Sequence, residues 1–169
     1  KDYGINSDLM NSNAVWQAAA NNSEGLALLP QAYPEGSPTH PSYPAGHATI
    51  AGACSVILKA FFNPNFAIPN PVYANSTGTA LISYTGGDLT LGAEIEKLAA
   101  NITLGRDAAG VHYRSDGTQG LIAGEQVAAR LLQDVSLTYN EDFDGFDITR
   151  FNGNRFNIKE GNITPVPAT

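Results

Sequence analysis

The chain has 169 residues, 43% of them hydrophobic and 15% charged, with a formal net charge of −7. That is one domain's worth of material with enough apolar content for a packed core; the acidic balance argues against nucleic acid or an anionic membrane as partner, but not against an anion held by a local cluster of donors. A single cysteine, Cys54, excludes an internal disulfide, and no stretch reaches the roughly 18 apolar residues of a membrane-spanning helix.

From the N-terminus, a weak helical pattern runs from Ser12 to Ala20, with Ser12 a candidate N-cap. Residues 30–46 hold five prolines and read as a long ordered loop. His47 opens a helix predicted over 48–62, apolar almost all round and therefore central and buried. Cys54 within it reads as a buried small hydrophobe. Asn63-Pro64 stops that helix. Residues 63–88, rich in Pro, Asn, Gly and Thr, read as loop. A second helix is expected over 91–106, with Thr90 as cap and Ile95, Leu98, Ala99 and Ile102 forming one stripe. Residues 105–114 form a turn or a helix end. A third helix is expected to start at Asp116, with Gln119 completing a capping box. It should run to Gln133 and bury Leu121, Ile122, Val127, Ala128, Leu131 and Leu132. Beyond Ser136 the chain reads as an extended, exposed tail. Phe143, Phe146, Ile148, Phe151, Phe156 and Ile158 in it suggest short strands, or an arm packing on another chain. The organisation is a helical portion over 1–135 and a tail over 136–169 that packs on the rest of the protein.

The chemistry is concentrated in two stretches that contain all three histidines. One runs from His40 to Thr49 and includes Pro44-Ala45-Gly46-His47. The other runs from Leu104 to Asp116 and includes Arg106, His112, Arg114 and Asp116. Glycine lets backbone N–H groups approach a ligand closely, arginine offers a planar fork of donors suited to tetrahedral oxyanions, and histidine can carry protons or ligate a metal near neutral pH. Together they describe an oxyanion site with acid–base or covalent chemistry. Elsewhere, Asp142-Phe143-Asp144-Gly145-Phe146-Asp147 has the spaced carboxylates and glycine turn that suit Ca²⁺. It lacks a full calcium-binding loop and reads better as a solvated acidic turn.

The two histidine stretches resemble the last two motifs of the superfamily shared by vanadium-dependent haloperoxidases and type 2 phosphatidic acid phosphatases. The middle motif, usually Pro-Ser-Gly-His, is Pro44-Ala45-Gly46-His47. The last motif, usually Ser-Arg, five residues, His, three residues, Asp, is Gly105-Arg106, then His112, then Asp116. The longer run from Pro34 to His47, and Gly110 to Asp116, are more similar to the algal-type vanadium bromoperoxidases than to the phosphatases. The likeness spans residues 21–134. Two departures stand out. Ala45 replaces a serine whose hydroxyl would bond an equatorial vanadate oxygen, so only its backbone position is kept. The superfamily's first motif, a Lys, six residues, then Arg-Pro, has no match, since the only basic residue before Lys59 is Lys1.

The resemblance implies a mainly α fold, the C-terminal part of a helical-bundle haloperoxidase or acid phosphatase, with the N-terminal part of the enzyme as its missing partner. It implies vanadate as cofactor, replaceable by phosphate. His112 would be the axial vanadium ligand, Arg106 would clamp equatorial oxygens, and the Gly46 N–H would point at one. His47 would be the acid–base group, and His40 would tune peroxide or halide oxidation. Asp116 has two roles open to it, bonding the far nitrogen of His112 or capping a helix. Arg114 either supports the site or serves as a structural ion-pair partner.

The expected activity is oxidation of bromide by hydrogen peroxide, halogenating small organic acceptors, in a homo-oligomer. The resemblance also implies a secreted or cell-wall setting. Two alternatives differ in kind. One is an acid phosphatase working through a phosphohistidine at His112. The other is a catalytically silent assembly segment of a larger enzyme, prompted by the absent first motif.

Overall fold

A computed structural model of the protein describes residues 11–21 and 38–167. Residues 30–37 of the expected proline-rich loop lie outside them. Four helices and five strands follow in chain order among the described residues: α1 Asn13–Asn21, α2 Gly46–Phe61, β1 Val72–Ala74, β2 Leu81–Ser83, α3 Leu91–Ala108, α4 Arg114–Ser136, β3 Phe146–Thr149, β4 Arg155–Lys159 and β5 Asn162–Val166. The fold is mainly helical, as the resemblance implied. No described helix is long and apolar enough to cross a membrane.

The centre of the fold is the pairing of α2 with α4. Small residues on both helices bring the two backbones together. A Cβ on Gly120 would stand 2.7 Å from the Ala45 carbonyl oxygen and 2.8 Å from the Ala48 Cβ. A Cβ on Gly124 would collide with the Thr49 carbonyl oxygen, and one on Gly52 with that of Leu121. The contacts advance along both helices in the same direction: Ala45 and Ala48 against Gly120, Thr49 and Ala53 against Gly124, Val56 clustered with Ala128, Ala129 and Leu132. The two helices are therefore parallel, with their N-termini at one end. Helix α3 runs the other way, since Lys59 near the end of α2 pairs with Glu96 near the start of α3, while Thr103 near its end packs on Gly117 at the start of α4.

The far end is closed by a sheet. β3, β4 and β5 form an antiparallel meander, with Phe146 opposite Ile158 and Phe156 opposite Pro165. The short strands suggested beyond Ser136 are thus present, as a sheet over 146–166, but packed on the helices and not an exposed tail. The sheet's alternating pattern buries Ile148, Phe156 and Ile158 against Val56, Ala128, Ala129 and Leu132. Buried charges tie the sheet down. Lys59, 1% exposed, donates from Nζ to Glu96 Oε1 at 2.7 Å and to the Thr149 carbonyl at 2.6 Å. Glu125 accepts from the Phe151 N–H at 2.8 Å. Each buried charge meets a partner, as desolvation requires.

Several local expectations hold at the level of hydrogen bonds. Ser12 Oγ accepts from the Val15 N–H at 3.4 Å, and Thr90 Oγ1 from the Ala93 N–H at 3.3 Å. Others are corrected. The loop expected over 63–88 contains a hairpin, β1 with β2, whose six residues are all exposed. With neither face buried, its strands carry no alternation to read. Helix α4 begins at Arg114, so Asp116 lies in its first turn and is not its N-cap.

Burial also departs from expectation. Cys54 is exposed. Ile50 on α2 (66% exposed), Leu98 on α3 (58%), and Val127 and Leu131 on α4 (63% and 53%) lie on the surface. Only about one stripe of each helix meets another element of the described chain.

The helix pairing yields a direct test. Gly124→Ala forces a Cβ against the Thr49 carbonyl and the Ala53 N–H. Overpacking of this kind costs about 1–3 kcal/mol. Thermal unfolding should therefore show a midpoint lower by roughly 2–4 °C per kcal/mol lost, whereas Gly46→Ala, with open space around its Cβ, should change it far less.

Candidate active site

Parallel packing of α2 and α4 puts two helix N-termini side by side, at Gly46 and Arg114. Each carries unsatisfied N–H groups and the positive end of a helix dipole, a ready environment for an anion. The antiparallel α3 ends at the same place and brings Arg106 in its last turn. The two sequence stretches meet here although some sixty residues separate them.

Asp116 joins them. Its carbonyl oxygen accepts from the Ala45 N–H at 3.0 Å. Its carboxylate accepts from the Tyr113 N–H at 3.0 Å, from Ser115 Oγ at 3.3 Å, and from His112 Nδ1 at 3.4 Å. The Ser42 side chain, on the loop before α2, also helps to lower its pKa. The Tyr113 N–H does most to hold the Asp116 carboxyl below the usual carboxylate range, and the Ser42, His112 and Ser115 side chains add to it against the opposing effect of burial. Of the two roles left open for Asp116, the side chain makes the bond to the His112 ring and also accepts the N–H of Tyr113, the residue that precedes α4.

The His112 side chain is 3% exposed. With a proton on Nδ1 donated to Asp116, Nε2 carries the lone pair, and it has no hydrogen-bond partner among the described residues. Beside it, burial pushes the Asp107 carboxyl up, an effect opposed by the nearby charges of His112 and Arg114 and reinforced by Asp116. Asp107 Oδ1 is buried with no hydrogen bond among the described residues. Arg106 is half-buried, whereas Arg114, the first residue of α4, is exposed.

The middle stretch is less closed. Ala45 is buried and starts α2, where its carbonyl accepts from the Thr49 N–H and from Thr49 Oγ1. Gly46 opens onto free space, with no atom within 4 Å of where a Cβ would be. His47, in the first turn of α2, is exposed. His40 is also exposed, and its Nδ1 donates to the Pro41 carbonyl at 2.8 Å. Ser42 and Asp107 were not singled out from sequence. Ser42 stands in the same run as His40 and His47, and Asp107 directly follows Arg106, so only their adjacency could have flagged them.

The donor set fits vanadate or phosphate: one arginine, two helix N-termini, a histidine nitrogen fixed by a carboxylate on its far side, and open space over Gly46. The residues 142–147 do not gather as a cation site. Asp142 and Asp144 are exposed, and Asp147 Oδ1 accepts from Asn157 Nδ2 at 2.9 Å. No group of three or more His, Cys, Asp or Glu side chains able to hold a metal ion stands among the described residues.

Residues 8–141 match the family model described as the VCPO second helical-bundle domain. The chain belongs to the vanadium-dependent haloperoxidase family. It is 49% identical over 132 residues to a vanadium-dependent bromoperoxidase of Corallina officinalis, covering 78% of this chain and 22% of that protein. It is 45% identical over 152 residues to a vanadium-dependent bromoperoxidase of Ascophyllum nodosum, covering 88% of this chain and 27% of that protein. The homohexameric structure of the second vanadate-dependent bromoperoxidase from Ascophyllum nodosum superimposes with a TM-score of 0.75 at 30% identity, over 83% of this chain and 29% of that one. The chain thus spans about a quarter of the length of these haloperoxidases.

The Asp116 carboxylate sets a pH dependence. Its folded pKa lies below the unfolded one, so its contribution to stability is fully present above the ordinary carboxylate range and is lost as pH falls through the folded value. Urea unfolding at pH 7 should show Asp116→Asn clearly less stable than wild type, and the gap should narrow as the pH is taken below the ordinary carboxylate range. A gap independent of pH would mean that the charge is not what the donors hold.

Proposed function

We propose that this chain forms the vanadate-binding end of a bromoperoxidase, which oxidises bromide with hydrogen peroxide and halogenates small organic acceptors. The single observation that carries the reading is the Asp116 junction, which fixes His112 with its Nε2 available beside two helix N-termini. The bromoperoxidases it resembles at 45–49% identity point the same way.

In this reading His112 holds vanadium through Nε2, and Asp116 orients the ring and raises its basicity through Nδ1. Arg106 would hold the anion's oxygens through its planar fork, with the Gly46 N–H as a further donor. Bound vanadate supplies a Lewis-acid centre that makes a peroxide oxygen electrophilic toward halide. His47 takes the proton of incoming peroxide on a ring nitrogen. His40, at the open side of the loop, tunes peroxide or halide oxidation. Arg114 adds positive charge near Asp107 and His112. Ala45 contributes its backbone alone. The remaining cationic ligands come from the other part of the enzyme, and assembly is as a homo-oligomer.

Two measurements test this. Purified intact protein loaded with vanadate should brominate a phenol in a strictly peroxide- and bromide-dependent reaction, and His112→Ala should abolish it; hydrolysis of a phosphate monoester without vanadate as the main activity would favour the phosphatase instead. Asp116→Asn should weaken vanadate binding by about 10–100-fold, the usual cost of losing a ligand's supporting hydrogen bond, as followed by vanadium-51 resonance.

A further inference from the structure

The turn between β3 and β4 carries an arginine at each end. Arg150 follows β3 and Arg155 opens β4. Arg150 N–H donates to the Asn154 carbonyl and Gly153 N–H to the Arg150 carbonyl, both at 2.8 Å, and Gly153 takes the left-handed φ of 82° that the tight turn needs. Both arginines line a cavity of about 470 Å³, within the range of small-molecule sites. Its apolar wall is Phe156 with Ile163, Pro165 and Val166. The β4–β5 register supplies that wall by placing Pro165 opposite Phe156 and Val166 opposite Arg155.

The two guanidinium groups differ. Arg150 lies over the Phe156 ring, 4.6 Å from its centroid, with Nε 3.8 Å from Glu125 Oε1. It is held in place and its charge is opposed. Among the described residues no carboxylate forms an ion pair with Arg155. In a chain of net charge −7, this cavity keeps one positive charge that no carboxylate pairs with among the described residues, beside an apolar wall. Glu125 lies eleven residues beyond the start of α4, roughly 16 Å along the helix, so the cavity is separate from the vanadate end.

We propose that this cavity binds a small organic carboxylate, its anionic head on Arg155 with Arg150 beside it, and its apolar or aromatic body on Ile163, Pro165 and Val166. A carboxylate matches the planar fork of one arginine. Arg155 brings one positive charge without a carboxylate partner among the described residues, which a monoanion balances.

The probe is 2-naphthoate, titrated into the intact protein by calorimetry, with 2-naphthamide as the uncharged analogue. The acid should bind at one site with a dissociation constant of about 1 mM or tighter, as expected for a ligand of its size. The amide should bind roughly tenfold more weakly or worse. Arg155→Gln should remove that preference and leave the amide unchanged, and Arg155→Lys should restore part of it. Excess vanadate should not compete. Absence of binding, equal binding of acid and amide, or competition by vanadate each overturns the proposal, the last by placing the ligand at the other end of the molecule. If Arg155→Gln fails to fold, the ratio of acid to amide and the vanadate competition on wild type decide.

Discussion

One aspartate holds the reactive end of this molecule together. Asp116 accepts the Ala45 N–H on its carbonyl, and its carboxylate takes donors from Tyr113, Ser115 and His112. These donors, led by the Tyr113 N–H, hold it below the usual carboxylate range against the opposing effect of burial. The charge they preserve then fixes the tautomer and direction of His112. The same residue thus connects the start of α2 to the turn before α4 and to the His112 ring.

That junction is possible because the helices behind it pack backbone to backbone. Gly52, Gly120 and Gly124 remove the side chains that would separate α2 from α4. The parallel arrangement sums two positive helix ends at one place, a local field that opposes the acidic charge of the whole chain. At the other end Lys59 and Glu125, each buried, bind the C-terminal sheet to the helices. A buried charge stripped of its partner is far more costly than a lost apolar contact, so these two residues strongly disfavour any other seating of the sheet.

The apolar residues left on the surface complete the physical picture. Ile50, Leu98, Val127 and Leu131 stand outward on three different helices. Helical periodicity had marked them as core, because it reports which residues are apolar and not which partner covers them. A chain that spans about a quarter of its relatives' length presents surfaces that a longer polypeptide or a second subunit can cover. Cys54 was misread for the same reason: its neighbours in sequence are apolar, but its position on α2 faces outward.

What the sequence determined by itself was chemical and local. The spacing from Arg106 through His112 to Asp116, and the run ending in Gly46 and His47, named the family and most of the candidate site before any geometry was known. Caps at Ser12 and Thr90 and the three main helices followed from propensity and period, which act within a few residues. Tertiary structure alone decided that α2 and α4 run parallel, that the Asp116 carbonyl meets the Ala45 N–H, that the Asp107 Oδ1 is buried near His112, and that the strands over 146–166 close into a sheet on the helices with an arginine-lined cavity. These are contacts between residues far apart in the chain. No local pattern encodes them, because they depend on which faces meet once the backbones have closed.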